Sequence, residues 1–211
     1  MFQRPEYQAV FQKAEAVNSV IRACRNTSAP FIRLDEIIFA VKKRTGFDAI
    51  QVLPSHFSKM PELREEYGQE ARYLGGMLTT YSQNGIKGAQ IYVNADLDKR
   101  EQRFNIAHEL GHLITELPEL RGLEHRDGVY IVSTNSCADL TALPLDTQDP
   151  YLIGEQAANI FALLVLIPRN ILIRDLVDAD TRSLSLRYGV SEAAIYSRML
   201  LSIGGDFHGN E

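Results

Sequence analysis

Several features that would assign a chain to a familiar structural class are missing from this sequence. It holds two cysteines, Cys24 and Cys137, in 211 residues, too few for a scaffold built on disulfides. Its longest apolar run, residues 160–167, is far shorter than the roughly 18 residues of a membrane span. The first residues lack the apolar stretch of a signal peptide. These absences predict a cytoplasmic protein that does not enter a membrane.

An excess of positive charge is also missing. Lysine and arginine number 22 against 27 aspartates and glutamates, which leaves a formal net charge of −5. Because nucleic-acid-binding domains present a basic face, direct binding to DNA is not expected. Apolar residues make up 45% of the chain, enough for one sizeable domain or for a core with a small appendage.

The residues that carry chemistry lie at positions 108–112, His-Glu-Leu-Gly-His. Two histidines four positions apart on a helix point to the same side, so His108 and His112 can grip one metal ion. Neutral imidazoles suit zinc, and a carboxylate beside zinc-bound water suits a general base, the role predicted for Glu109. The motif predicts a zinc-dependent hydrolase, most often a peptidase, with one zinc ion per chain.

A catalytic zinc site uses three protein ligands and leaves a further position for water, so a third ligand is needed. Glu155 is the candidate, because it lies near the start of an apolar helix with Asn159 one turn later on the same face. Asn159 is predicted to accept the outer N–H of a ligand histidine and so fix its orientation. Glycine inside a helix costs about 1 kcal/mol relative to alanine, so Gly111 indicates a close approach between two helices.

Hydrophobic periodicity predicts an α+β fold, mostly helical, with a small antiparallel sheet packed beside a two-helix zinc site. The predicted helices span residues 7–24, 34–43, 98–117, 153–167, 169–177, 182–188 and 192–202. The predicted strands span residues 48–53, 73–81 and 89–93. We expect the helix with the histidines to bury one stripe and the 153–167 helix to be buried on every side.

The segments between these elements suggest a division of the chain. Residues 55–69 are ambiguous, and residues 118–154 are loop-like and acidic, with a hint of a strand near Tyr130. We expect an N-terminal helical segment, a zinc-binding core and a C-terminal helical subdomain packed on that core. Their expected bounds are 1–30, 31–168 and 169–211.

The residues around both metal-binding segments resemble those of a known family. Residues 103–112, Arg-Phe-Asn-Ile-Ala-His-Glu-Leu-Gly-His, closely resemble the metal helix of the ImmA/IrrE metallopeptidases. The pattern Glu-x-x-Ala-Asn-x-Phe-Ala at 155–162, continuing to Pro168, is similar to the second zinc helix of that family. The hairpin that ends at Asn94 and the tail 187–194 are similar too, so the resemblance covers roughly residues 30–203.

The resemblance implies a gluzincin-like fold with a single zinc, His108, His112 and Glu155 as its ligands, and Glu109 as the base. It implies a protein substrate, a helix-turn-helix repressor that is cleaved or inactivated in mobile-element or stress-response regulation. The alternatives are a non-proteolytic antirepressor and a toxin-type peptidase held by an antitoxin. A DNA-binding regulator using the helix-turn-helix-like tail is disfavoured, because that tail carries little positive charge: Arg182, Arg187 and Arg198.

Other roles stay open on residue type alone. The donor that stabilises the oxyanion has three candidates, His125, Tyr130 and Tyr151. Cys137 is a candidate fourth, inhibitory ligand, although a buried thiol is the favoured interpretation. The acidic residues between 116 and 149 would attract a basic DNA-binding protein or form a solvated loop.

Overall fold

The computed structural model of the chain describes residues 5–25, 31–83, 85–115, 129–130 and 148–204. In chain order its helices are α1 (Pro5–Cys24), α2 (Leu34–Thr45), α3 (Pro61–Tyr67), α4 (Lys99–Thr115), α5 (Pro150–Leu166), α6 (Arg169–Asp175), α7 (Thr181–Tyr188) and α8 (Glu192–Gly204). Its strands are β1 (Ala49–Ser55), β2 (Gly76–Gln83), β3 (Ile86–Asn94) and β4 (Val129–Tyr130).

The segment that the sequence leaves ambiguous is largely helical. Short 3-10 turns, Phe57–Lys59 and Gly68–Tyr73, flank α3 on either side. The second of these turns occupies the position at which the sequence predicts the start of a strand, so β2 begins at Gly76 instead of residue 73.

The strands form one mixed sheet in the order β1-β3-β2-β4. β2 and β3 make the predicted antiparallel hairpin, with Gly76 opposite Val93. β1 runs parallel to β3, with Ala49 opposite Gly88. The α+β class is confirmed, but the sheet is not antiparallel throughout as predicted. Parallel neighbours need a long connection, and the helical segment between β1 and β2 lets β3 lie beside β1.

The first helix packs on the two helices that carry the metal-binding motifs. The hydroxyl of Tyr7 donates a hydrogen bond to Gln156 on α5. Nζ of Lys13 donates to the carbonyl of Thr115, in the last turn of α4, at 3.2 Å. α1 therefore contacts both motif helices. The buried stripe of α1 contains Tyr7 and the predicted residues Val10, Ala14, Val17 and Ile21. The division of the chain into three segments at residues 30 and 168 stays a prediction.

The two motif helices form the centre of the core. α5 is buried from Gly154 to Leu166, which confirms the central position predicted from the apolar run at residues 160–167. α4 is buried from Gln102 to Ile114. The predicted stripe is therefore buried at Ile106, Leu110 and Leu113, and the burial extends beyond it to the other faces of the helix. The sheet, α1, α2 and α5 all contact α4 and together cover its several sides.

The last helix, α8, packs on α5. Nε of Arg198 on α8 donates to the carbonyl of Ile167 at 3.0 Å, and Oγ of Ser191 accepts from the backbone N–H of Ala194 at 3.2 Å, which is the predicted helix cap. Among the described helices, no single one is long and apolar enough to cross a membrane. α5 and α6 meet those limits of length and composition only when they are taken together, as a pair bent by 60°.

Arg103 on α4 joins three separate parts of the chain. Its buried guanidinium donates to the carbonyl of Ile32 and, from Nε, to the carbonyl of Tyr188 at 3.3 Å. Its Cζ lies 4.2 Å from the centroid of the Phe31 ring. Burial lowers the pKa of Arg103 to about 10, so the side chain is charged at neutral pH. Arg103 therefore anchors both the residues before α2 and the end of α7 to the helix that carries the histidines.

We expect Arg103→Met to lower the free energy of unfolding by about 2–3 kcal/mol, because it removes charged donors from two carbonyls. Urea unfolding followed by circular dichroism measures the change. Arg100→Met is the matched control, since Arg100 lies on the same helix with a side chain 47% exposed and should cost less than about 0.5 kcal/mol. Equal losses in the two variants would contradict the anchoring role of Arg103.

Candidate metal centre

Helical spacing and a close crossing bring the predicted ligands together. His108 and His112 are one turn apart on α4, and Glu155 lies in the first half of α5, which crosses α4. All three side chains are buried. Each offers one ligand atom, and these atoms lie within 4.8 Å of one another. Within the described ranges, no other such group of histidine, cysteine and carboxylate side chains is found.

The distances within this group are those of a compact ligand set. The two Nε2 atoms of His108 and His112 lie 3.0 Å apart. One oxygen of Glu155 is 3.4 Å from Nε2 of His108, and the other is 3.3 Å from Nε2 of His112. Tetrahedral zinc with bonds of about 2.0–2.1 Å separates its ligand atoms by about 3.3–3.4 Å. The three side chains therefore fit a single metal ion of this size.

Asn159 orients the first histidine. Its side-chain carbonyl oxygen lies 2.8 Å from Nδ1 of His108. An amide oxygen only accepts hydrogen bonds, so Nδ1 carries a proton and donates to it, and Nε2 faces Glu155 and His112. This is the arrangement expected of a metal-ligating histidine and its supporting partner.

The pKa values of the three side chains depend on burial and on the hydrogen bonds among them. Burial raises the pKa of Glu155, but hydrogen bonds from the two histidines outweigh it and hold that pKa well below its usual range. Burial also lowers the pKa of both histidines. Hydrogen bonding to Glu155 reverses the shift at His108 and leaves the pKa of His112 lowered. Positive charge at the histidine nitrogens thus favours the anionic form of Glu155, and a metal cation bound there would supply such a charge.

Gly111 permits the crossing of the two helices, as its sequence position predicts. A Cβ atom at residue 111 would lie 2.9 Å from Cα and 3.0 Å from the carbonyl oxygen of Ala158. It would also lie 3.2 Å from a ring carbon of Phe161. Backbone atoms cannot rotate away as side chains can, so any larger residue must push α4 and α5 apart.

Glu109, the predicted base, is fully buried beside the ligands. Neither of its carboxylate oxygens has a hydrogen-bond partner among the described residues. Burial, together with the nearby Glu155 charge, raises the pKa of Glu109 to about 8 against an opposing effect of His108. Its carboxylate faces the start of β2, where a Cβ built on Gly76 would lie 2.6 Å from Oε1. A cation at the ligand cluster would favour the ionised form of Glu109.

The remaining candidates from the sequence are only partly placed. His125, Cys137 and the side chain of Tyr130 lie outside the described residues. Tyr151 is in the first turn of α5, one turn before Glu155 and therefore on the same side of that helix, with 42% of its surface exposed. Of the three candidate oxyanion donors, Tyr151 is the one whose side chain lies within the described residues, and it is on the helix that carries Glu155.

Two features of the site were missed in the sequence, although each has a signal. Gly75-Gly76 lies in a predicted strand, where glycine often marks a close approach of another group. Asp149-Pro150 is a helix start, and α5 begins there instead of near residue 153. The side chain of Asp149 accepts from the backbone N–H of Tyr151 at 3.0 Å, and Pro150 occupies the first turn.

Residues 51–116 match the family described as the IrrE N-terminal-like domain, Peptidase_M78. The match runs from β1 to the end of α4 and so contains both histidines and Glu109. This match, over about a third of the chain, agrees with the resemblance of the two motif helices to the ImmA/IrrE metallopeptidases. Among curated proteins, no sequence matches the chain. The matched domain supports a metallopeptidase, and the buried His-His-Glu group is where it would hold its metal ion.

We expect Gly111→Ala to weaken metal binding by at least about tenfold, because separating α4 from α5 moves Glu155 away from the histidines. In a solvent-exposed helix the same substitution would stabilise the protein by about 1 kcal/mol. A loss of stability in Gly111→Ala would therefore indicate the tight crossing. Competition with a chromophoric chelator measures the affinity for Zn²⁺, and thermal unfolding measures stability. A stabilised variant with unchanged affinity would contradict the tight crossing.

Proposed function

We propose that this metallopeptidase is a zinc endopeptidase that cleaves or inactivates a helix-turn-helix transcriptional repressor. The observation that carries the zinc-peptidase part is the convergence of three ligand atoms within 4.8 Å beside a buried carboxylate, Glu109. The repressor as substrate rests on the family resemblance of the two motif helices and is the part of the proposal that requires a direct assay.

Each side chain has a distinct role in this proposal. His108, His112 and Glu155 would hold zinc, and Asn159 would keep the imidazole of His108 in its ligating orientation. Zinc bound there supplies Lewis acidity, which lowers the pKa of an attacking water and polarises the substrate carbonyl. Glu109 accepts the proton that water loses as it attacks, and then delivers that proton to the nitrogen of the departing amine. The carboxylate therefore ends the reaction in the form in which it began.

The C-terminal helices do not favour direct contact with DNA. Arg198 is fully buried in the core and donates to the carbonyl of Ile167. Arg187 forms an ion pair with Asp175 at 3.0 Å. Two of the three arginines in this segment are therefore engaged within the protein, and we propose a protein partner instead of a nucleic acid.

The first test is the metal content. We expect the purified protein to hold one zinc per chain, and His108→Ala and Glu155→Ala each to lose it, because two ligands do not complete a catalytic site. Elemental analysis by mass spectrometry measures the stoichiometry, and circular dichroism shows that the variants are folded. His56→Ala is the matched control, since His56 pairs with Asp96 at 2.6 Å outside the ligand group. Zinc retained by Glu155→Ala would contradict the ligand set.

The second test separates catalysis from binding. We expect Glu109→Gln to keep its zinc and to lose about 10²–10⁴-fold in cleavage rate, because the amide cannot accept the proton. The assay co-expresses the protein with the helix-turn-helix repressor of its own locus and detects fragments by mass spectrometry. Glu101→Gln, on the exposed start of the same helix, is the control.

The outcomes of this assay distinguish the alternatives. Relief of repression by Glu109→Gln with the repressor intact would indicate a non-proteolytic antirepressor. Growth arrest on expression, abolished by Glu109→Gln while the repressor stays intact, would indicate a toxin-type peptidase. Either result would overturn the proposed substrate without overturning the zinc site.

A further inference from the structure

The first residue of β2 lies against the side chain of Glu109. Gly76 is buried and pairs with Val93 in the middle of the sheet. A Cβ atom at residue 76 would be 2.6 Å from Oε1, 3.1 Å from Cγ and 3.2 Å from Cδ of Glu109. Ordinary van der Waals contacts of a Cβ begin at 3.4 Å. Any residue other than glycine would therefore displace the carboxylate by most of an ångström.

The contact matters because little else in the described structure fixes this carboxylate. Neither oxygen of Glu109 hydrogen bonds to a described residue, whereas the ligand Glu155 faces both histidines. The position of Glu109 thus depends on the room available around it. The backbone of β2 limits that room on one side, and Gly76 sets how closely the strand approaches.

We propose that Gly76 is a positioning residue for Glu109: the absent side chain leaves the space in which the base stands beside the metal ligands. The inference rests on the proposed function, because it assigns to Glu109 the role of base. A misplacement of about 1 Å in a catalytic group can cost about 10²-fold in rate, so one methyl group at this position is enough to disable the base.

A side chain at residue 76 would contact different kinds of atoms from a side chain at residue 111. At residue 111 a methyl group meets the backbone of Ala158, so helices must move. At residue 76 it meets the end of a flexible glutamate, which can rotate away. Gly76→Ala is therefore expected to keep the fold and the metal ligands in place and to move only the base.

A readout that needs no substrate tests this. The protein is loaded with Co²⁺, and acetohydroxamate is titrated while the visible absorption of the metal is followed. A hydroxamate bound at the metal hydrogen bonds to a carboxylate beside it, so its affinity reports the position of Glu109. We expect Gly76→Ala to bind Co²⁺ as the unmodified protein does and to bind acetohydroxamate about tenfold more weakly, the effect of losing one charge-assisted hydrogen bond.

The controls separate this effect from others. Gly88→Ala places the same methyl group in the neighbouring strand, against the ring of Tyr81, and should leave acetohydroxamate binding unchanged. In a Glu109→Gln background, Gly76→Ala should weaken binding no further. Additional weakening there would mean that the methyl group blocks the probe directly, and it would overturn the inference. Unchanged affinity in Gly76→Ala alone would overturn it as well.

Two further results keep the test decisive. If Gly76→Ala unfolds, the variant that combines it with Glu109→Ala should be as stable as Glu109→Ala alone, since the carboxylate that the methyl group meets is gone. Instability that persists in this pair would overturn the inference. Failure of the unmodified protein to bind Co²⁺ would overturn the proposed function itself, whereas metal binding with an unresponsive Gly76 would overturn only the positioning role.

Discussion

The close crossing of α4 and α5 is the constraint on which the rest of the site depends. The crossing point is Gly111 against the backbone of Ala158, where no room exists for a side chain. One turn of α4 on either side of this point is enough to present both histidines to Glu155, because side chains four residues apart lie on one face. α1 reinforces the arrangement, since Tyr7 bonds to α5 and Lys13 to the end of α4. Helix packing, and not a set of long loops, therefore fixes the geometry of the three candidate ligands.

Burial of these packed side chains also affects their pKa values. His108 and Glu155 are almost fully excluded from water, and the hydrogen bond between them raises the pKa of His108 and lowers the pKa of Glu155 against the effect of burial. A divalent cation would stabilise the anionic carboxylate and would also accept the lone pairs of both imidazoles. The structure of the ligand group is therefore also a reason for it to bind a metal.

The sequence predicts the parts of this protein that depend on helical periodicity. Spacing of four residues places His108 with His112, and Glu155 with Asn159, on one helix face, and the structure brings the two faces together. Their roles as ligands and supporting partner stay predictions. The tight contact at Gly111 is predicted because glycine is costly in a helix and needs a reason.

The relative direction of two strands is harder to predict from the sequence. Alternation along β1 and β3 says which side chains are buried but not whether the two strands run parallel, which depends on the path of the segment between them. The burial of α4 on every side was missed because the polar residues of its sequence, such as Gln102 and Asn105, suggest an exposed face. The role of Gly76 depends on a contact between residues 33 positions apart in the sequence, which no local pattern encodes.

The surroundings of Glu109 favour an enzyme over a structural metal site. A structural zinc site closes its coordination shell with four protein ligands and has no use for a further carboxylate. A buried carboxylate without a compensating partner is costly, typically by several kcal/mol once ionised, and a protein gains nothing in stability from keeping one. Glu109 is nevertheless fully buried, without a hydrogen-bond partner among the described residues, one position from a ligand histidine. Because residue 76 is a glycine, there is room for the carboxylate of Glu109 beside β2. Such a group makes sense when its partner is a water molecule or a substrate that arrives during the reaction, which is the situation of a general base.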